Sequence, residues 1–262
     1  MATKNAQAAA GTATSEIQIL EINTGRLEVC IKGTSPLILN RMSQKVWFEL
    51  LAPKGRKTAS EKASSMKHDP IQEFRNSPYI INDPNAQTLL GVMASGFKGA
   101  MGTAALRTPG VKKTEIAQLV YVPGQFVEVF GLPKVFMSIV RSADMNKTPD
   151  VRTRAILPEW ACRLTVTFVK PALRETSIAN LLAAAGIISG IGDWRQEKGR
   201  GSFGSFVLCD PDDADFKRIV STMGREAQQN ALDEPQAYND ETSEMLAWFD
   251  VEMKRRGFKV AA

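Results

Sequence analysis

The stretch that decides the fold is GIGDWRQEKGRGSFGSF, which spans Gly190–Phe206. The small apolar run Ser177–Ser189 precedes it and predicts a buried helix, whereas Ser205–Cys209 predicts a closing strand. The stretch contains a literal G-x-G-x-x-G pattern, but a dinucleotide-binding fingerprint has to follow a strand and open a helix. Because the order here is helix, glycine-rich segment, strand, a dinucleotide site is excluded.

The patterns on either side of this segment predict further strands and helices. Cys162–Val169 (CRLTVTFV) has the clearest strand alternation, and Arg26–Lys32 (RLEVCIK) predicts a second half-buried strand. Thr88–Arg107 predicts a helix, and its four glycines, each costing about 1 kcal/mol relative to alanine, imply close packing. Three more β-rich runs are Ile116–Val122, Phe126–Phe130 and Lys134–Val140. This order predicts an α+β domain with a ferredoxin-like or RRM-like core.

Composition divides the chain into three parts. Residues 1–15 are small and polar with no apolar period, which predicts a disordered leader. Residues 16–209 form the main predicted domain, and residues 210–262 are expected to be an acidic helical C-terminal appendage with apolar residues at helical spacing in Glu241–Arg256. No window reaches the roughly 20 apolar residues of a membrane span. We therefore expect a cytoplasmic protein with no membrane partner.

The net charge of +5 hides an asymmetry along the chain. Residues 1–208 hold 26 Lys/Arg against 16 Asp/Glu, whereas residues 209–262 hold 7 against 12. Basic groups concentrate in Pro53–His68, a predicted flexible loop, and in Arg141–Arg154, a predicted connector. A basic body suits a phosphate-bearing partner, although many basic proteins bind no nucleic acid.

The glycine-rich segment combines three features of a phosphate-binding loop. Its glycines leave backbone amides unobstructed for anions. Arg195, Lys198 and Arg200 add positive charge, and Trp194 and Phe203 offer faces on which bases could stack. The alternative is a tight glycine turn whose aromatic residues belong to the core, and both interpretations stay open on the sequence.

Three short motifs resemble those of the RAMP superfamily, the proteins that form the backbone of CRISPR effector complexes. They are the helix, glycine-rich basic loop and closing strand described above, the run Val92–Met101 (VMASGFKGAM), and the start Ile31–Asn40 (IKGTSPLILN). The chain is also similar to proteins encoded by tailed phages, which share G-x-x-P-L, here from Gly33, and G-x-W-R-x-E, here from Gly192. The second similarity implies a source but no activity.

The RAMP resemblance implies single-stranded nucleic acid held along a basic groove, with head-to-tail assembly into an oligomer. Lys98 would face the backbone of the strand, and the basic loop from Lys54 to Lys67 would reach over it. The candidate nucleic-acid-binding residues are Arg41, Lys45, Lys54, Arg56, Lys57, Lys98, Arg152, Arg154, Trp194, Arg195, Lys198, Gly199, Arg200 and Gly201. The sequence does not distinguish DNA from RNA as the partner.

The residues predict no catalytic site, metal site or cofactor. Some RAMP members cut RNA with an aspartate after the first strand or with a histidine base, but no Asp or Glu lies between Gly33 and Phe48. The only histidine, His68, lies in the predicted basic loop, where a lone surface histidine is the simpler interpretation. Cys30, Cys162 and Cys209 are far apart in apolar runs and predict buried thiols.

These observations predict a non-catalytic protein that binds single-stranded nucleic acid without sequence preference. One alternative is a phage structural or interaction protein in which the glycine loops contact other subunits. Another, implied only by the resemblance, is a mimic or inhibitor of CRISPR complexes.

Overall fold

Two antiparallel sheets carry the fold. The computed structural model describes residues 21–42, 44–52, 68–141, 149–198 and 201–258. The strands are β1 (Asn23–Gly33), β2 (Leu37–Leu39), β3 (Tyr79–Ile80), β4 (Leu90–Met93), β5 (Val120–Tyr121), β6 (Phe126–Phe130), β7 (Lys134–Arg141), β8 (Pro149–Leu157), β9 (Ala161–Lys170) and β10 (Phe206–Cys209). The helices are α1 (Gln44–Leu51), α2 (Pro70–Asn76), α3 (Ala94–Ala105), α4 (Lys113–Leu119), α5 (Glu175–Ile188), α6 (Ala214–Thr222), α7 (Arg225–Asp233) and α8 (Asp240–Arg255).

The large sheet has the strand order β10-β1-β9-β6-β4-β3, with β5 also paired to β9. The small sheet has the order β2-β8-β7. The long β1–β9 ladder alternates its side chains, so that the paired Ile31 and Cys162 face the main core while Cys30 and Arg163 face the other side. The predicted fold class, an α+β domain with a glycine-rich segment before the closing strand, is confirmed.

Helices cover both faces of the large sheet. On one face Phe97 of α3 contacts Phe206 of the closing strand edge to face, at 5.8 Å between ring centroids, and α5 buries Leu181 and Leu182 beside them. On the other face α6 packs Phe216 and Ile219 against the sheet. Helices α3 and α5 therefore pack against one face of the closing strand, and this packing fixes the point at which the glycine-rich segment enters the strand.

Three sequence-based assignments differ from the structure. Thr88–Arg107 was predicted to be one helix, but Leu90–Met93 forms β4 between β3 and β6, and the helix starts at Ala94. Gly91 allows this pairing, because an added Cβ would lie only about 3.0 Å from the Ile81 side chain. The run Ile116–Val122 was predicted to be extended, yet most of it belongs to α4.

The basic connector Arg141–Arg154 is also different from its prediction. Residues 149–157 form β8, the central strand of the small sheet, so Arg152 and Arg154 lie on a strand. Arg154 faces Phe136 across the β7–β8 ladder. Because residues two apart on a strand share a face, Arg152 and Arg154 lie on the same face of the small sheet.

The C-terminal helices predicted beyond residue 210 are present, and they pack into the body of the protein. The amide of the buried Gln228 donates to the carbonyls of Val129 and Gly131, and its oxygen accepts from the N–H groups of Leu89 and Leu90. Thr242 of α8, also buried, accepts from the N–H of Met137. The acidic segment therefore completes the hydrogen bonding of both sheets.

The three cysteines are free thiols on adjacent strands. Cys162 is buried, whereas Cys30 and Cys209 are half-buried and are paired across β1 and β10. Burial raises the pKa of the Cys209 thiol to about 11, and nearby Cys30 adds to that rise. These thiols are therefore packing groups and poor nucleophiles at neutral pH.

Candidate nucleic-acid interface

The glycine-rich segment, residues 190–204, folds back on itself as a tightly bonded loop. The N–H of Ile191 donates to the carbonyl of Gly204 at 2.9 Å, and the N–H of Phe203 donates to the carbonyl of Trp194 at 3.3 Å. The loop is tied to the small sheet as well, because the N–H of Asp193 donates to the carbonyl of Ile38. The segment thus bridges the two sheets.

Two glycines are required by this geometry. Gly204 has a φ of 71° and donates its N–H to the carbonyl of Pro36 at 2.8 Å. At Gly201 a Cβ would overlap the backbone of Trp194, so no side chain fits there. Trp194 itself has a φ of 50°, a conformation that non-glycine residues rarely adopt. The glycine pattern is therefore explained first by the close approach of two chain segments.

The aromatic residues of the loop pack together on the small sheet. The ring of Trp194 meets Phe136 edge to face at 6.0 Å, and Phe203 lies 6.1 Å from the same Phe136 ring. Tyr238 closes the cluster from the C-terminal side. Trp194 is half-buried, so part of its ring faces solvent while the rest belongs to this cluster.

Arg154 lies beneath Trp194 and is almost completely buried, with 5% of its surface exposed. Its guanidinium carbon is 5.1 Å from the centre of the Trp194 ring, and Nη1 is 2.9 Å from a carboxylate oxygen of Asp193. That Nη1 makes an ion contact without a hydrogen bond. Burial lowers the pKa of Arg154, and Asp193 opposes the effect. As the structure stands, this side chain faces Asp193, and a phosphate could reach it only if the ion pair opened.

Arg195 is also engaged within the loop. Its guanidinium donates to the carboxylate of Glu197 at 2.8 Å and to the carbonyl of Gly192 at 3.0 Å. The other oxygen of Glu197 accepts from the hydroxyl of Thr103 on α3 at 2.8 Å. Glu197 therefore anchors the loop, including the short 3-10 helix Gln196–Lys198, against the side of α3.

The outward face of α3 carries almost no side chains. Ser95, Gly96 and Gly99 are exposed, and at both glycines an added Cβ would meet nothing within 4 Å among the residues that the structure describes. The close packing that the glycines predicted is therefore absent at these two positions. Because Gly96 and Thr103 lie on nearly the same side of the helix, this bare strip is bounded by the glycine-rich loop.

Cations border the other side of the strip. Lys98 is half-exposed and has no ion-pair partner among the residues that the structure describes. Lys113 of α4 is exposed, and its stem lies over Gly102, 3.4 Å from where a Cβ would stand. The strip on α3 is thus a shallow trough with Lys98 and Lys113 along one margin and the glycine-rich loop along the other.

Two other predicted contacts lie on different elements. The guanidinium of Arg41 is 5.8 Å from the centre of the Tyr79 ring, and the backbone N–H of Arg41 donates to the carbonyl of Ser77. Arg152 is exposed at 3.7 Å from a carboxylate oxygen of Asp150. The same Asp150 contacts Nε2 of His68, whose Nδ1 contacts Glu73 at 2.9 Å.

His68 therefore differs from the lone surface histidine that the sequence predicted. Both of its ring nitrogens lie within hydrogen-bonding distance of carboxylates, so the side chain bridges Glu73 and Asp150.

Several predicted residues cannot be placed. Lys54, Arg56, Lys57, Gly199 and Arg200 lie outside the described residues, and only the backbone of Lys45 and Lys198 is described. The sequence reasoning did not single out Lys113 or the exposure of the α3 glycines. The spacing of Gly96, Gly99 and Gly102 at every third residue was the available signal, because such residues share one side of a helix.

Comparisons with known proteins add little to this geometry. No protein-family model matches the sequence, and no curated protein is similar to it. The crystal structure of Cmr6 from Pyrococcus furiosus is similar at a TM-score of 0.36 and 11% identity, over 71% of this chain and 98% of that one. A likeness at this level shows neither a family nor a function, so the RAMP resemblance stays a prediction. Among the described residues, no helix is both long and apolar enough to cross a membrane.

Proposed function

We propose that the protein binds single-stranded nucleic acid in the trough on α3, without sequence preference and without cutting the strand. The observation that carries the proposal is the exposed face of α3 at Gly96 and Gly99, which is bare among the described residues and lies beside Lys98, a cation with no ion-pair partner in that part of the chain. A phosphodiester backbone could approach the helix closely there, and positive charge on its margins would hold phosphates. The described part of the trough is bare at Gly96 and Gly99, which favours contacts to the backbone of the strand.

The loop side of the trough supports the same proposal. Glu197 and Thr103 fix the 3-10 helix beside α3, so the backbone of Lys198 is held next to the strip. Trp194 lies in the same segment and is half-buried, which leaves part of its side chain accessible to solvent. The non-catalytic part of the proposal rests on the sequence, which has no Asp or Glu between Gly33 and Phe48.

Assembly along the strand is the finer part of the proposal. Helix α1 exposes large apolar side chains, with Trp47 at 51%, Phe48 at 64% and Leu51 at 76% of their surface. Contiguous apolar surface of this kind is typical of protein contacts. The same surface would serve the alternative, a structural or interaction protein that binds no nucleic acid.

Salt dependence of binding tests the proposal. We predict that the triple variant Lys98→Ala, Lys198→Ala and Arg200→Ala binds a labelled single-stranded oligonucleotide with a flatter dependence of log affinity on log salt. The loss of slope should be about 0.7 for each phosphate contact removed. Arg195 is left intact because it holds Glu197 in the loop.

The matched control is Lys170→Ala, Lys217→Ala and Lys254→Ala, which removes the same charge from exposed positions elsewhere. Its slope should stay close to that of the unaltered protein. Equal slopes for the two triple variants would reject the trough as the site. No binding of DNA or RNA at low salt would reject the function, and shortened oligonucleotide on a denaturing gel would reject its non-catalytic part.

A further inference from the structure

The large sheet is split open between β6 and β9, and the split encloses a cavity. Strand β9 pairs with β5 at Tyr121↔Thr167 and with β6 at Val129↔Cys162. Between these two pairings β9 advances by five residues, from 162 to 167, whereas the segment that faces it advances by eight, from 121 to 129. The facing segment therefore has a bulge of three extra residues. Large bulges of this kind bend strands apart and are over-represented beside functional sites.

The cavity has a volume of about 390 Å³, which falls within the range of small-molecule sites. Flat apolar surfaces line part of it, from Pro123, Phe126 and Phe130. Phe126 is supported from behind by Tyr79, with ring centroids 5.3 Å apart. Phe130 and Arg163 point to the α6 face of the sheet, so this cavity is separate from the trough on α3.

The charged groups at the cavity are fixed by other parts of the protein. A nitrogen of Arg163 donates to the amide oxygen of Gln87 at 3.2 Å, and its guanidinium lies 5.6 Å from the centre of the Phe216 ring. Glu128 accepts from the N–H of Thr88 at 3.2 Å. One positive and one negative group thus balance each other, which favours a neutral ligand over a phosphate or a free carboxylate.

Hydrogen-bonding groups of both kinds face the same space. Residues 163–166 of β9 have ladder partners on the β1 side, but in the described chain no strand pairs with them on the bulge side. The hydroxyl of Thr165 and the amide of Gln87 also line the cavity. A purely apolar ligand would leave these donors and acceptors unpaired, at a cost in affinity.

The shape excludes an added peptide strand. The β5 pairing closes one end of the split and the β6 pairing closes the other, so an extended chain cannot run through it. The ligand has to be compact and flat, with apolar faces and with donors and acceptors around its edge. We infer that the cavity between β6 and β9 binds a nucleobase.

A nucleobase could come from a free nucleoside or from a base splayed out of a bound strand. The probes are 2-aminopurine riboside and a single-stranded oligonucleotide with one 2-aminopurine, because stacking on aromatic rings quenches this base. Saturable quenching of the riboside indicates a nucleoside site. Quenching of the oligonucleotide alone indicates a base of a bound strand.

One variant of Thr165 fills the cavity, and a second removes a hydroxyl from its wall. The control for each is the same substitution at Thr167, two residues along the same face of β9. Thr165→Phe occupies the space, and we expect its affinity for the probe to fall about tenfold. Thr165→Val keeps the size of the side chain and removes only the hydroxyl, so it tests the site if the larger substitution unfolds the sheet. Thr167→Phe and Thr167→Val lie opposite Tyr121, outside the cavity, and should leave quenching unchanged.

The inference is overturned if neither probe is quenched, or if the Thr165 and Thr167 variants behave alike. These outcomes are distinct from a failure of the proposed strand binding, which is measured by anisotropy of an oligonucleotide labelled at its end. If the protein binds the strand but does not quench 2-aminopurine, the proposed binding in the trough stands and only the nucleobase site is rejected.

Discussion

Gly96 and Gly99 lie in the middle of α3, where each glycine costs the helix about 1 kcal/mol relative to alanine. Elsewhere in the protein a glycine has a packing reason, as at Gly186, where a Cβ would overlap the carbonyl of Phe206. In the described part of the chain, no such neighbour lies at Gly96 or Gly99. A helix that gives up stability without a packing reason is expected where a ligand comes close to the backbone.

We predict that Gly96→Ala and Gly99→Ala each raise the free energy of unfolding by about 1 kcal/mol and weaken single-strand binding. The methyl groups favour the helix but occupy the floor of the trough. Urea unfolding and oligonucleotide affinity, measured in one buffer, give the two effects separately.

Gly186→Ala serves as the contrast, because its added Cβ meets backbone and should lower stability. The prediction is contradicted if alanine at Gly96 and Gly99 stabilises the protein but leaves its affinity for the oligonucleotide unchanged. In that case the exposed face of α3 does not contact the strand.

Residue types alone did not tell which cations face solvent. Arg152 and Arg154 are two positions apart on β8, yet the first is exposed and the second is buried under Trp194. The difference comes from Asp193, which is close to Arg154 in space but belongs to the glycine-rich segment. Such a pairing depends on how two distant segments meet, and local sequence carries no record of it.

At the scale of elements, strong periodic patterns were predictive and short ones were not. The alternation of Cys162–Val169 and the apolar run from Ser177 gave β9 and α5 correctly. The run Ile116–Val122 has β-branched residues, yet Lys113–Leu119 is helical and the N–H of Lys112 is bonded to Glu115. Only Val120 and Tyr121 are extended, because β9 offers an unpaired edge there. A two-residue strand is specified by its partner rather than by its own sequence.

A buried amide helps to attach helix α7, beside the bonds that Arg225 donates to the carbonyls of Asp83 and Thr88. Gln228 has no exposed surface and makes four hydrogen bonds to the backbone of β4, β6 and the turn after β6. We predict that Gln228→Leu lowers the free energy of unfolding by about 3 kcal/mol or more, since buried N–H and C=O groups would lose their partners. The neighbouring Gln229→Leu is the control, because Gln229 is exposed and bonds only to Asp233.

Chemical denaturation of both variants measures the difference. Equal stability of the two would mean that the buried amide of Gln228 adds nothing to the attachment of α7.

At the scale of the whole molecule, charge is distributed unevenly along the sequence. The body through residue 208 carries an excess of ten positive charges, whereas residues 209–262 carry an excess of five negative charges. Contact between the basic part of one copy and the acidic part of another is attractive, whereas contact between two identical faces is not. Head-to-tail contacts of this kind generate rings or filaments rather than closed dimers.

The exposed apolar residues of α1 are the surface that such a contact would bury. We predict that Trp47→Ser with Phe48→Ser leaves binding to an oligonucleotide that holds one protomer unchanged, but abolishes cooperative loading of longer ones. These two side chains would be buried only at the contact between protomers. Their loss should weaken each contact by about 2 kcal/mol, or roughly 30-fold. Ile139→Ser, which removes an equally exposed apolar side chain at 67%, is the control on β7. Sedimentation with oligonucleotides of increasing length counts the protomers bound to each. If the double variant loads like the unaltered chain, the exposed side chains of α1 do not form the contact between protomers.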